Sequence, residues 1–236
     1  MVESAQAIGL PQLGDDLDPM RATSRGLGEL LLAALADRPA SILVCLGGSA
    51  TVDGGVGMRA VAGAWLRDVK LRVACDVRNP LLGERGAARA FGPQKGADEA
   101  TVERLEERLA SLEELAPYRD LPGAGAAGGL GAAFAALGAE LVEGAELVLD
   151  LIGFDERVRG AELVVTGEGA VDETTLEGKA PGVALRRCER LGVRCELFGG
   201  LVADGFDAHK LSGRRALAGE DLVKLGEELA RSLVSR

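Results

Sequence analysis

Short apolar runs closed by glycine or aspartate recur along the chain: Ile42 to Leu46, Leu71 to Val77, Glu146 to Asp150, Glu162 to Thr166, and Cys195 to Phe198. Their length and β-branched content predict buried strands. Between them the apolar positions fall at three-to-four spacing. In TVERLEERLASLEEL, Val102, Leu105, Leu109, Leu112 and Leu115 form one stripe, which predicts an amphipathic helix with Asp98 or Thr101 as its N-cap. Leu222, Leu225, Leu229 and Leu233 form another near the end of the chain. Strands alternating with helices predict an α/β fold with a parallel or mixed sheet.

Where the strand pattern stops, glycine accumulates. The stretch ILVCLGGSATVDGG is followed by a helix start, and glycines stand at 47, 48, 54, 55 and 57. LVVTGEGAVDETT reads the same way, and GAGAAGGLG at 123–131 opens the alanine-rich segment Ala132 to Leu141. In open α/β sheets ligands bind beyond the carboxyl ends of strands, where helix N-termini offer amide donors to anions. The three loops are therefore candidate anion sites, and each is equally readable as a tight turn.

Composition narrows the ligand. With 27 Lys and Arg against 37 Asp and Glu, the formal net charge is −10, and no basic cluster offers a grip on nucleic acid or an anionic membrane. No run approaches the length of a membrane span, and the opening MVESAQAIGLPQLGDD lacks the form of a secretory signal, so a cytoplasmic protein is expected. Cys45, Cys75, Cys188 and Cys195 include no CxxC pair and read as free, buried thiols. His209, the single histidine, reads as a surface residue and leaves no Ser-His triad or histidine-rich metal site.

Nucleotide signatures are weak. GAGAAG has the dinucleotide pattern but follows Leu121-Pro122 in place of a strand, and Gly178-Lys179 lacks the rest of a P-loop. TGEGAVDETTLEGK gathers Glu168, Asp172, Thr174, Thr175 and Lys179. Phosphoryl transfer needs such parts, carboxylates for Mg²⁺ or for the attacking hydroxyl and a cation for phosphate charge, although Asp172 is read equally well as a helix cap. Arg78, Arg85, Arg89 and Lys95 put positive charge on a second loop-rich stretch, where they attract an anion or remain solvated.

In order along the chain, LGGSATVDGGVGM, CDVRNPLLGERGAARAFGPQKGA, PGAGAAGGLGAAF and VVTGEGAVDETTLEGKAP resemble the type I glycerate kinase family. The resemblance implies transfer of the ATP γ-phosphate to D-glycerate with ATP and Mg²⁺, and helices on both faces of a sheet in two lobes around a cleft. Sub-lobes at 1–160 and 161–236 are expected within one glycerate kinase-like region. Gly47, Gly48, Ser49, Thr51, Asp53, Arg78 and Lys95 are then expected on the substrate, and Asp172, Lys179 and Glu168 at the catalytic centre, with Asp172 nearest the reacting hydroxyl. Gly123, Gly125, Gly128 and Gly129 are expected on the nucleotide, and Asp53 or Asp172 on Mg²⁺. Relative to the family pattern the chain starts after an Asp-x-Phe-Lys-Gly and an Ala-Asp-Gly-Gly-Glu-Gly stretch, so an incomplete N-terminus is expected, with a second copy or a complementing chain as partner. The alternatives are a non-catalytic small-acid-binding or interaction protein on the same fold and, on GAGAAG, a nicotinamide-binding oxidoreductase.

Overall fold

The computed structural model describes residues 1–176, 178–212 and 218–234, and divides into two compact units, Met1–Gly144 and Ala145–Arg236. The division falls ahead of the expected 160–161 boundary, because helices in the residues between are tied to the second unit by side chains from farther along the chain.

The first unit is built on a parallel sheet of β1 (Val2–Glu3), β2 (Ser41–Cys45), β3 (Lys70–Cys75) and β4 (Glu140–Glu143), in that spatial order. The register runs Val2 to Val44, Val44 to Val73 and Val73 to Leu141. Its helices are α1 (Ala5–Ile8), α2 (Arg25–Leu35), α3 (Val56–Leu66), α4 (Ala87–Phe91), α5 (Glu99–Ala110) and α6 (Ala126–Ala136), with 3₁₀ turns at Leu10–Leu13, Pro93–Lys95 and Glu113–Tyr118. Alternation along β2 buries Ile42 and Val44, and these pack with Leu27, Leu31, Met58, Leu66, Val73, Leu105, Leu130 and Phe134 in one core. The α5 stripe behaves as its spacing requires: Val102, Leu105 and Leu109 are buried, and Asp98 caps the helix by accepting from the Thr101 amide at 2.8 Å.

The second unit holds α7 (Gly144–Leu151, its first residue in the first unit), α8 (Phe154–Val158), β5 (Val164–Val171), α9 (Glu173–Leu176), α10 (Ala180–Leu191), β6 (Cys195–Val202), β7 (His209–Lys210) and α11 (Ala218–Val234). Strands β5, β6 and β7 form a second parallel sheet, and α10 packs on β5 and β6. Arg187 of α10, 8% exposed, binds Glu146 and Asp150 at 2.6 Å and Asp155 at 3.2 Å, which fastens α7 and α8 to it.

Two expectations fail at the level of elements. Glu146 to Asp150 is helical, and the strand of that region lies just upstream at Glu140–Glu143, so the alanine-rich helix stops at Ala136 and Leu141 is in a strand. The glycines of TGEGAV are inside β5 and do not form a loop after it; with no Cβ, Gly167 lets the ring and carbonyl of Phe198 lie against the strand. No described helix is long and apolar enough to cross a membrane.

Candidate active site

Beyond the carboxyl ends of β2 and β3 lies a cavity of about 340 Å³. This is where an open α/β sheet leaves backbone amides and side chains for a ligand. Its walls include Leu46, Gly47, Gly48 and Ser49 after β2, Asp76 and Val77 after β3, Gln94 and Lys95 from the Pro93–Lys95 turn, and Ala126 and Ala127 at the start of α6.

The loop after β2 is pinned on both sides. Gly48 accepts from the Leu10 amide at 2.7 Å, and the Ala50 amide donates to Ile8 at 2.9 Å. Gly48 needs its glycine for a φ of +58°, whereas a Cβ on Gly47 would meet nothing within 4 Å. Gly47 thus keeps open space at the cavity wall that the fold itself does not use. Such space suits close approach of a ligand to the backbone.

Lys95 is the centre of the cavity chemistry. It is 3% exposed, and its Nζ donates to Thr51 O at 2.8 Å and Ser49 Oγ at 3.2 Å. Among the described residues no carboxylate forms an ion pair with it. Burial pushes the ammonium down to about 8, against a smaller opposing pull from Asp53, so it is still charged at neutral pH. A buried cation resting on neutral oxygens is a receptor for a small anion.

Several expected residues have other roles. Asp53 is 1% exposed: Oδ2 accepts from the Ser24 amide and hydroxyl, both at 2.8 Å, and from the Gly57 amide at 3.2 Å, while Oδ1 accepts from the Gly55 amide at 3.0 Å. With its oxygens engaged it clamps the loop to the start of α2. Thr51, 1% exposed, serves Lys95 through its carbonyl, and its hydroxyl is buried without a hydrogen-bond partner. Arg78 is solvated and lies 3.7 Å from Glu143, outside the cavity lining, and Arg89 is held by Glu103.

The glycines expected on the nucleotide are closely packed. Gly123, Gly125, Gly128 and Gly129 are all buried. A Cβ on Gly125 would stand 2.3 Å from Pro80 O, and one on Gly128 1.9 Å from Thr51 O. Gly128 and Gly129 let the start of α6 press on the loop after β2, Gly123 and Gly125 lie against the end of β3 and the segment after it, and no strand leads into them.

In the second unit, Glu168, Asp172, Thr175 and Lys179 come together. Thr175, fully buried, donates to Glu168 Oε1 at 2.7 Å and accepts from the Asp172 amide at 3.1 Å. Lys179 Nζ lies 3.3 Å from Glu168 Oε2 and 3.8 Å from Asp172 Oδ1. Glu168 is presented from β5, Asp172 follows that strand, and Lys179 stands at the start of α10. The side chain of Thr174 lies outside the described residues.

Of the four thiols expected to be buried, Cys75 and Cys188 are, whereas Cys45 and Cys195 are partly exposed. All four cysteines are free; burial lifts Cys75 to about 11 and Cys195 to about 12, so neither is a nucleophile at neutral pH. His209 sits 3.2 Å from Glu196 on the half-exposed side of β7.

Comparison with known proteins places these features in a family. The model of the "Glycerate kinase family" matches residues 1–68 and 61–220. Glycerate 2-kinase of Escherichia coli K12 is 41% identical over 222 residues, covering 78% of this chain and 58% of its own length. Glycerate kinase of Halalkalibacterium halodurans is 39% identical over 246 residues, covering 88% and 65%. A crystal structure assigned as glycerate kinase 2 from Salmonella typhimurium LT2 superposes with a TM-score of 0.78 at 33% identity, over 99% of this chain and 75% of the other. The chain thus spans less than two thirds of the length of these two curated relatives.

Proposed function

The chain belongs to the glycerate kinase family, and from that premise we propose that its activity is the phosphorylation of D-glycerate by ATP. The observation that carries the reading is Lys95, a charged, buried ammonium in a small cavity, with which no carboxylate among the described residues forms an ion pair. A three-carbon acid supplies that carboxylate, with Lys95 Nζ and Ser49 Oγ as its donors. Gly47 and Gly48 leave room for the acid against the backbone, and Gln94 offers an amide for a hydroxyl.

Glu168, Asp172 and Lys179 have the composition that phosphate handling requires. Mg²⁺ is commonly held by one or two carboxylates together with substrate phosphates, and not by a full protein cage. That fits these residues, since no group of three or more metal-ligating side chains occurs among those described. Glu168 and Asp172 would hold the ion, which supplies neutralisation of phosphate charge. Lys179 would carry positive charge to the same phosphates, and Thr175 fixes the orientation of Glu168.

Purified protein incubated with ATP, Mg²⁺ and D-glycerate is expected to form ADP and phosphoglycerate, followed by coupled assay and NMR. Asp172→Asn, which keeps shape and removes charge, should lower turnover by at least about 100-fold with the fold intact. Turnover within a few-fold of wild type would return Asp172 to a capping role. D-glycerate binding without any ADP formed would sink the kinase assignment for this chain.

A further inference from the structure

We propose that Asp76 recognises the reacting hydroxyl of the substrate and takes up its proton, complementing the grip of Lys95 on the carboxylate; this rests on the glycerate reading of the cavity. Asp76 follows the last residue of β3, so it stands at the carboxyl end of the sheet, where it lines the same cavity as Ser49, Gln94 and Lys95. It is exposed and makes no hydrogen bond or ion pair with another described side chain. The other carboxylates considered above are engaged: Asp53 by amides and a hydroxyl, Glu168 and Asp172 by Lys179, Glu143 by Arg78.

Gly144 is the neighbour of the Asp76 carboxylate. A Cβ there would stand 2.6 Å from Asp76 Oδ1 and 3.2 Å from its Cγ. The carboxylate therefore lies beside that glycine, where the absence of a side chain leaves it room without fixing it. The cavity consequently presents one ammonium and one carboxylate, neither of them in an ion pair among the described residues. A ligand that is anionic at one end and a hydrogen-bond donor at the other satisfies both, because a carboxylate only accepts and an ammonium only donates. A small hydroxy acid has that form.

The chemistry follows from the same pair. The hydroxyl O–H bond breaks and its proton goes to the Asp76 carboxylate. The freed electron pair forms the bond to the γ-phosphorus of the nucleoside triphosphate, and the bond from that phosphorus to the bridging oxygen breaks, its electrons leaving on the nucleoside diphosphate.

Calorimetric titration with D-glycerate and with propionate, which has the carboxylate and no hydroxyl, separates the two functions. Wild-type chain is expected to prefer D-glycerate by at least about tenfold. Asp76→Ala should keep or gain propionate affinity and lose the preference, whereas Lys95→Met should weaken both. With ATP and Mg²⁺, Asp76→Asn should lower kcat by roughly 10²–10⁴-fold with a smaller change in KM. Asp76 is exposed, so these variants should fold, which a circular-dichroism melt verifies. An Asp76→Ala chain that retains the wild-type preference, or an Asp76→Asn enzyme within a few-fold of wild type, overturns the assignment and leaves the glycerate reading intact. A wild-type chain that binds neither acid overturns both.

Discussion

Lys95 is charged where charge is unfavourable, and the consequence is measurable. Its folded pKa of about 8 lies below the ordinary 10.5, so between those values the unfolded chain holds more protons than the folded one. Stability therefore rises with pH across that window and is flat with respect to this group below 8 and above 10.5. The rise should total about 3 kcal/mol relative to Lys95→Met, read from urea unfolding at a series of pH values. D-glycerate affinity should move the other way, falling about tenfold for each pH unit above 8 as the ammonium is lost. Residue types are legible in a sequence, but the direction of a side chain is not. Lys95 draws notice in the sequence because a cation in a loop-rich, acidic chain invites an anion, but its burial is visible only in the structure. For Asp53, nothing in SATVDGG tells that its carboxylate turns inward to the Ser24 amide. Asp76 falls inside the apolar run Leu71 to Val77, and only the end of β3 at Cys75 shows that it stands beyond the strand.

At the scale of elements, the start of α6 decides whether the cavity has a wall. Ala127, Gly128 and Gly129 have φ of 50°, 72° and 94°, a left-handed kink that brings Gly128 O to the Gly54 amide at 3.0 Å. Gly128→Ala would combine an unfavourable φ with a Cβ 1.9 Å from Thr51 O. It should cost about 2–5 kcal/mol in denaturant unfolding and displace the carbonyl that holds Lys95, weakening D-glycerate binding in parallel. Stability near that of wild type would mean that the backbone there yields easily. The pattern of apolar residues located β2, β3, β6, α5 and α11 because each has a face that its spacing states. It misplaced the strand at ELVLD, since five apolar and acidic residues fit either period, and only the pairing of β4 with β3 decides between them.

The molecule as a whole consists of two units, each with its own parallel sheet, and only the first contains the cavity. A chain ending at Gly144 should therefore melt cooperatively and bind D-glycerate within about tenfold of the full chain, a modest loss of about 1.4 kcal/mol. Circular dichroism and calorimetry measure both, and an aggregated or non-binding product would show that the first unit does not stand by itself. Four ordered motifs made the family legible from the sequence. The unit boundary was not, because it depends on the ties from Arg187 to Glu146, Asp150 and Asp155, which join residues far apart in the chain.

Trp65 is the single tryptophan, and it lies 64% exposed on α3, while the single tyrosine, Tyr118, belongs to the same unit. An indole already in water emits nearly as it does in an unfolded chain. Intrinsic fluorescence excited at the red edge will thus change little when the first unit melts and carries no signal from the second. What a fluorimeter records from this protein is the solvent side of one helix.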